Sequence, residues 1–151
     1  MYKNIVVGTD GSKTAEIAVQ HATVLAKSSG ATLHIVHAFQ PVSINVAALS
    51  ASSGGPVVDL EPLNHAITES AHSTCARAGA GAEDEGVTVE LHAVNADPCA
   101  ALISVAEKVD AELIVVGNRG MAGVKRFVLG SVPNKIAHRA PCSLLIVNTT
   151  H

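Results

Sequence analysis

The sequence predicts an α/β fold in which a parallel sheet is covered by helices on both faces. Three observations carry that expectation. Five short aliphatic runs alternate with four segments of helical periodicity along 151 residues. Most of the runs, such as Ile5-Val6-Val7 and Leu113 to Val116, are apolar throughout, as strands buried on both faces are. Aromatic residues make up 2% of the chain and Trp is absent, so the core must be built from Val, Ile, Leu and Ala.

The elements follow in order. Ile5-Val6-Val7, ending at Gly8, reads as a buried strand. Thr9-Asp10-Gly11-Ser12 is a polar turn, with Ser12 as the N-cap of a helix. From Lys13 to Ser29 the apolar residues Ala15, Ala18, Val19, Ala22, Leu25 and Ala26 recur at helical spacing, and Gly30 stops the helix. Thr32 to Ala38 is the second strand. Residues 40–61 are rich in Ser, Ala, Gly and Pro and show no period, so they read as a long excursion. Leu63 to about Glu85 is the second helix, entered near Pro62 and weakened toward its end by Ala78-Gly79-Ala80-Gly81-Ala82. Val87 to Val94 alternates as a half-exposed third strand. Asp97-Pro98 starts the third helix, Asp as N-cap and Pro at the first helical position. Leu113 to Val116 is the fourth strand. A glycine-rich loop over 117–130 follows, then a helix that Ser131 can cap, through about Arg139. Ser143 to Val147 is the fifth strand. Regular alternation of strand and helix calls for right-handed crossovers.

Length and composition bound the function. A chain of this size fits one domain, residues 1–151, with 40–61 as an excursion within it. The formal net charge is −3, which offers no basic footprint for nucleic acid, and the scarcity of aromatics removes stacking platforms for single strands. Cys75, Cys99 and Cys142 are odd in number and widely spaced, with no zinc pattern, and read as free thiols. The eight His are scattered and are expected mostly at the surface. The N-terminus lacks the pattern of a signal peptide, and no apolar run approaches the roughly 18 residues of a membrane span. A cytoplasmic protein without membrane or nucleic-acid partners is the expectation.

In an open parallel sheet, ligands bind beyond the carboxyl ends of the strands, where strand order reverses. Two segments stand at such ends. One is Gly8-Thr9-Asp10-Gly11-Ser12. The other is Gly117-Asn118-Arg119-Gly120, nine residues, then Gly130-Ser131. The second has the makings of a phosphate site. Its glycines let backbone N–H groups approach a ligand. Gly130-Ser131 precedes a helix, whose first N–H groups point at an anion. The Ser131 hydroxyl can donate to a phosphate oxygen, and Arg119, Lys125 and Arg126 add positive charge with no acidic residue between 117 and 131. The same residues also suit a plain glycine connection. Asp10 likewise reads two ways: as a turn residue binding local N–H groups, or as an acceptor for a base amino group or ribose hydroxyls. Walker-type phosphate loops, the G-x-G-x-x-G dinucleotide fingerprint and the G-x-S-x-G elbow are all absent. His34 and His37 lie on opposite faces of a strand and make a poor metal pair. His65 and His72 share a helix face and read as solvated.

The chain resembles the universal stress protein family from Tyr2 to Thr149. The strongest element is Gly117-x2-Gly120-x9-Gly130-Ser131, which matches the pattern G-x2-G-x9-G-S/T of the nucleotide-binding branch. The opening Val-Val-Gly-Thr-Asp-Gly-Ser and the closing Ala-Pro-Cys-Ser-Leu-Leu-Ile-Val are also typical. The resemblance implies a single open five-stranded parallel sheet of order 3-2-1-4-5, Rossmann-like, with ATP between the ends of strands one and four. Gly8, Thr9 and Asp10 would meet adenine and ribose, Ala38 would wall the base, and Val116 and Gly117 would contact the ribose. Arg119 and Gly120 would border the phosphates. Gly130, Ser131 and Val132 would cradle them, with Mg2+ riding on the phosphates. Many nucleotide-binding members carry a hydroxyl where this chain has Pro133, which leaves AMP and cyclic AMP open. The family also suggests homodimers through the last strand, 143–147, an edge that needs covering.

Three functions fit these expectations. The first is a nucleotide-binding regulatory protein of the stress response. The second is a slow ATPase, which lacks an evident water-orienting group in the 117–131 loop. The third is a dimeric interaction module with a vestigial site.

Overall fold

The computed structural model describes residues 1–43, 54–55, 58–118 and 129–149. Five strands and four helices alternate among them. They are β1 (Asn4–Gly8), α1 (Lys13–Ser29), β2 (Thr32–Phe39), α2 (Glu61–Asp84), β3 (Val89–Asn95), α3 (Pro98–Lys108), β4 (Leu113–Gly117), α4 (Ser131–Ala137) and β5 (Ser143–Val147). The strands form one sheet of order β3-β2-β1-β4-β5, parallel at every pairing. This is the order that the resemblance implies.

The unbroken apolar runs follow from a sheet covered on both faces. Ile5, Val7, Leu33, Ile35, Leu113 and Val115 point to one side and pack with Ala18, Val19, Ala22 and Ala82 of α1 and α2. Val6, Val36, Ile114 and Val116 point to the other, against Leu102, Val105 and Ala106 of α3 and Ile136 of α4. Small alanines let the helices lie close to the sheet, which is why a core nearly free of aromatics suffices.

Capping matches the sequence at two helices and departs from it at a third. Ser12 Oγ accepts from Ala15 N–H at 3.2 Å, and Asp97 Oδ1 accepts from Cys99 and Ala100 N–H. Gly30 ends α1 at φ +69°, a backbone state that favours glycine. At α4, however, Gly130 is the N-cap and Ser131 is the first helical residue, with no side-chain cap bond. The cap reading of Ser131 is therefore corrected. The glycine takes the extended cap conformation because Asn118 O receives its N–H at 3.0 Å.

The alanine- and glycine-rich tail of α2 stays helical to Asp84. Gly79 is buried against the sheet there, and packing overrides its low helix propensity. β3 begins at Val89, two residues later than the alternation suggests. All three cysteines are free, with Cys75 and Cys99 buried. Most of the 40–61 excursion, residues 44–53 and 56–57, lies outside the described residues.

Candidate functional site

The sheet reverses its strand order at β1, whose neighbours are β2 and β4. β1 ends at Gly8 and β4 ends at Gly117, and in-register pairing (Val7 with Val115) brings the two carboxyl ends level. The crevice at this switch point is where ligands enter such sheets.

The β1 side is a tightly bonded turn. Thr9 is buried, donates its N–H to Val36 O at 2.9 Å and accepts from Gly11 N–H on Oγ1 at 3.1 Å. Asp10 Oδ1 accepts from Ser12 N–H at 2.9 Å, so the local turn role of this carboxylate is present. Gly11 sits at φ +78°, which lets the chain swing into α1. A Cβ on Gly8 would lie 3.1 Å from Leu102 Cδ1, so the strand end passes close beneath α3.

The β4 side is pinned by Asn118. Its N–H donates to Val147 O at 2.8 Å, and its Oδ1 accepts from both Thr149 N–H (2.9 Å) and Thr149 Oγ1–H (2.8 Å). Asn118 O then receives Gly130 N–H at 3.0 Å. The two ends of the glycine-rich loop are thus tied together at the mouth of the crevice. A Cβ on Gly130 would come within 3.1 Å of that same carbonyl, which accounts for glycine here.

Gly8 ends β1 and Thr9 and Asp10 follow it, Val116 and Gly117 end β4, and Gly130 caps α4, which Ser131 and Val132 open. Val116 is buried, Val132 is half-buried against the α3–α4 core and Ser131 is exposed. Ala38 lies one residue before the end of β2, half-buried on the same face as Val36. Arg119, Gly120, Lys125 and Arg126 lie outside the described residues. Pro133 is buried at the third position of α4. A first-turn N–H has no partner within its own helix, so the proline breaks no helical bond, though it offers no donor.

Two polar residues of this end escaped the sequence reading. His37 Nδ1 donates to Thr9 O at 2.9 Å and braces the β1 turn from β2. Asn118 could have been suspected from its place beside Gly117, but its partner Thr149 is 31 residues away.

A further group lies on the α3 face of the sheet, toward the amino ends of β1 and β2. His34 is 3% exposed, against the expectation that the histidines are mostly at the surface. Its neighbours are His92, Glu90 and Asn4. Burial lowers the His34 pKa, and the Glu90 carboxylate opposes that shift. Burial also lowers that of His92, helped by His34 and Lys108 and opposed by Glu90. His37, by contrast, faces the other side of the sheet, as the three-residue spacing predicts.

The pattern of the universal stress protein family matches residues 1–148. Universal stress protein Rv1636 of Mycobacterium tuberculosis is 34% identical over 154 aligned positions, covering 99% of this chain and 98% of that protein. Universal stress protein YxiE of Bacillus subtilis is 29% identical over 147, covering 97% and 99%. A universal stress protein solved in complex with cAMP superposes at a TM-score of 0.70 with 32% identity, covering 99% of this chain and 98% of its own. A protein known as MJ0577 shares the fold at a TM-score of 0.80 and 24% identity, covering 100% and 99%. With the family pattern matched over residues 1–148, relatives at 34% identity over nearly the whole chain and the sheet order in agreement, the chain belongs to the universal stress protein family.

Proposed function

We propose that this protein binds an adenine nucleotide in the crevice between the ends of β1 and β4 and acts as a regulatory protein of the stress response. One observation carries the reading. Gly117 and Gly130-Ser131, thirteen positions apart, are held side by side by the Gly130 N–H to Asn118 O bond, at the point where strand order reverses. The two ends of the glycine pattern thus meet at the switch point, which supports reading them as a phosphate cradle.

In this reading Gly8, Thr9, Asp10 and Ala38 take the base and ribose, and Val116 and Gly117 flank the ribose. Arg119 and Gly120 border the phosphates. The backbone N–H groups of Ser131 and Val132, with the Ser131 hydroxyl, bind phosphate oxygens. Mg2+ rides on the phosphates of ATP. No catalytic group is assigned, and nucleotide binding changes the surface that a partner reads.

Cyclic AMP is the second reading. The relative at 32% identity was solved in complex with cAMP, and Pro133 takes one donor from the phosphate end. A cyclic monophosphate needs fewer donors than a triphosphate.

Dimerisation is part of the proposal. β5 lies at the sheet edge and bonds to β4 on one side, and its open side suits a second copy of the chain. Sedimentation should give the mass of a dimer, and a monomer at micromolar concentration would exclude it.

Calorimetric titration of ATP, AMP and cyclic AMP into the wild type and a folded Gly130→Asp variant tests the site. The account expects binding of at least one nucleotide by the wild type and its loss in the variant, where a carboxylate faces the phosphates. Equal affinity in the two proteins would sink the loop assignment.

A further inference from the structure

We propose that His34, Glu90 and His92 form a binding site for a divalent transition-metal ion, Zn2+ in the first instance, separate from the nucleotide crevice. Parallel register assembles it. His34 on β2 pairs with Glu90 on β3, and Val36 pairs with His92, so the three side chains share one face of two neighbouring strands.

The geometry is that of a ligand set. His34 Nδ1 lies 3.1 Å from His92 Nε2 and 3.4 Å from Glu90 Oε2, and His92 Nε2 lies 3.9 Å from Glu90 Oε2. The equidistant point in the plane of the three atoms lies about 2.0 Å from each, which is the Zn–N and Zn–O bond length. Two imidazoles and a carboxylate suit Zn2+ and its borderline neighbours better than Mg2+ or Ca2+, which take all-oxygen sets.

The protonation pattern agrees. Asn4 Nδ2 donates to Val109 O at 2.9 Å, which turns Asn4 Oδ1 toward His34 Nε2 at 3.2 Å. An amide oxygen only accepts, so Nε2 of His34 carries the proton and Nδ1 presents a lone pair to the cluster. A ring nitrogen fixed by an outer carbonyl is the usual support of a metal-bound histidine. Without a cation, that lone pair and the Glu90 carboxylate face each other with only the His92 Nε2 proton to share. A metal ion satisfies all three atoms at once.

The site has one buried imidazole, one largely covered imidazole (His92, 16% exposed) and one accessible carboxylate. His34 is 3% exposed, while the Glu90 side chain is 57% exposed and leaves a further coordination position to water. Lys108, at the end of α3, lines the same cleft as His92, and its positive charge opposes a bound cation. The bound ion stitches β3, an edge strand, to β2.

The test is calorimetric titration of ZnCl2 into chelator-treated full-length protein without nucleotide, with Tm followed in parallel. His34→Ala removes a buried side chain and is not relied on. Glu90→Gln alters an exposed group and His92→Ala a partly covered one, and circular dichroism checks the fold of both. The proposal expects one Zn2+ per chain and a rise in Tm on binding. Affinity should fall more than about tenfold in each variant, since even outer supports of a metal are worth about ten- to a hundredfold. Lys108→Met should bind more tightly. Absence of binding below millimolar Zn2+ would overturn the proposal. So would unchanged affinity in both variants, or binding abolished by replacing Cys75, Cys99 and Cys142 with Ser while His92→Ala leaves it intact.

Discussion

Two glycines of α2 make a matched pair of perturbations. Gly79 and Gly81 lie two residues apart in one helix, and Gly→Ala in a helix interior is worth about 0.8–1.0 kcal/mol of stabilisation from propensity alone. Their surroundings differ. A Cβ on Gly81 meets nothing within 4 Å. A Cβ on Gly79 meets Leu91 Cδ2 at 3.1 Å, Val89 Cγ1 at 3.1 Å and Ile35 Cδ1 at 3.2 Å. Each neighbour must give by a few tenths of an ångström; Leu91 is exposed and can yield, whereas Ile35 is fully buried. Overpacking of this kind costs about 1–3 kcal/mol. Gly81→Ala should therefore gain about 0.5–1 kcal/mol, slightly reduced by its place in the last turn. Gly79→Ala should lose up to about 2 kcal/mol, because packing outweighs propensity. The gap between the two variants reports mainly packing, since most of the propensity gain is common to both. At about 2–4 °C per kcal/mol for a chain of this size, it amounts to several degrees in Tm. Urea and thermal unfolding of both variants measure it. A Gly79→Ala protein as stable as Gly81→Ala would refute the claim that α2 lies against the sheet without room for a methyl group.

Other outcomes follow from single residues. Asn118→Ala removes the acceptor of Thr149 N–H and Oγ1–H, and Thr149 is buried, so urea unfolding should show a loss of about 1–3 kcal/mol. Asn118→Asp keeps the acceptor and should recover part of that loss. Glu112 accepts the N–H groups of Asn4 and Lys3, and these bonds hold its carboxyl below the ordinary value of 4.5. Its pKa is lower folded than unfolded, so its contribution is present above pH 4.5 and disappears as pH falls through the folded pKa. Glu112→Gln should be less stable at pH 7, and the difference should shrink on acidification in a series of urea melts.

The sequence made the sheet readable because each strand carries its own evidence. Ile5–Val7 and Leu113–Val116 are apolar on both faces, and only a sheet covered on both sides buries such runs. The caps at Ser12 and Asp97 were legible for the same reason, since each bonds to an N–H two or three residues on. Interactions across the chain were not. The cap of α4 falls on Gly130 rather than Ser131 because a carbonyl twelve residues back takes the glycine's N–H. The burial of His34 depends on Asn4, Glu90 and His92, brought together by strand register that no local pattern encodes. Scattered histidines look alike in a sequence, and pairing alone separates the buried His34 from the exposed His65 and His72. The candidate crevice stands between these cases. Its glycines and Asp10 were legible from spacing, whereas the braces from His37 and Asn118 emerged only with the fold.

The most direct test of the account is amide NMR of isotope-labelled protein titrated with ATP and then with cyclic AMP. The account predicts that the largest shifts fall on Gly8 to Asp10, Gly117, Asn118, Ser131 and Val132, with β3 and its edge undisturbed. Shifts confined to other parts of the sheet, or none with either nucleotide at millimolar concentration, would contradict it.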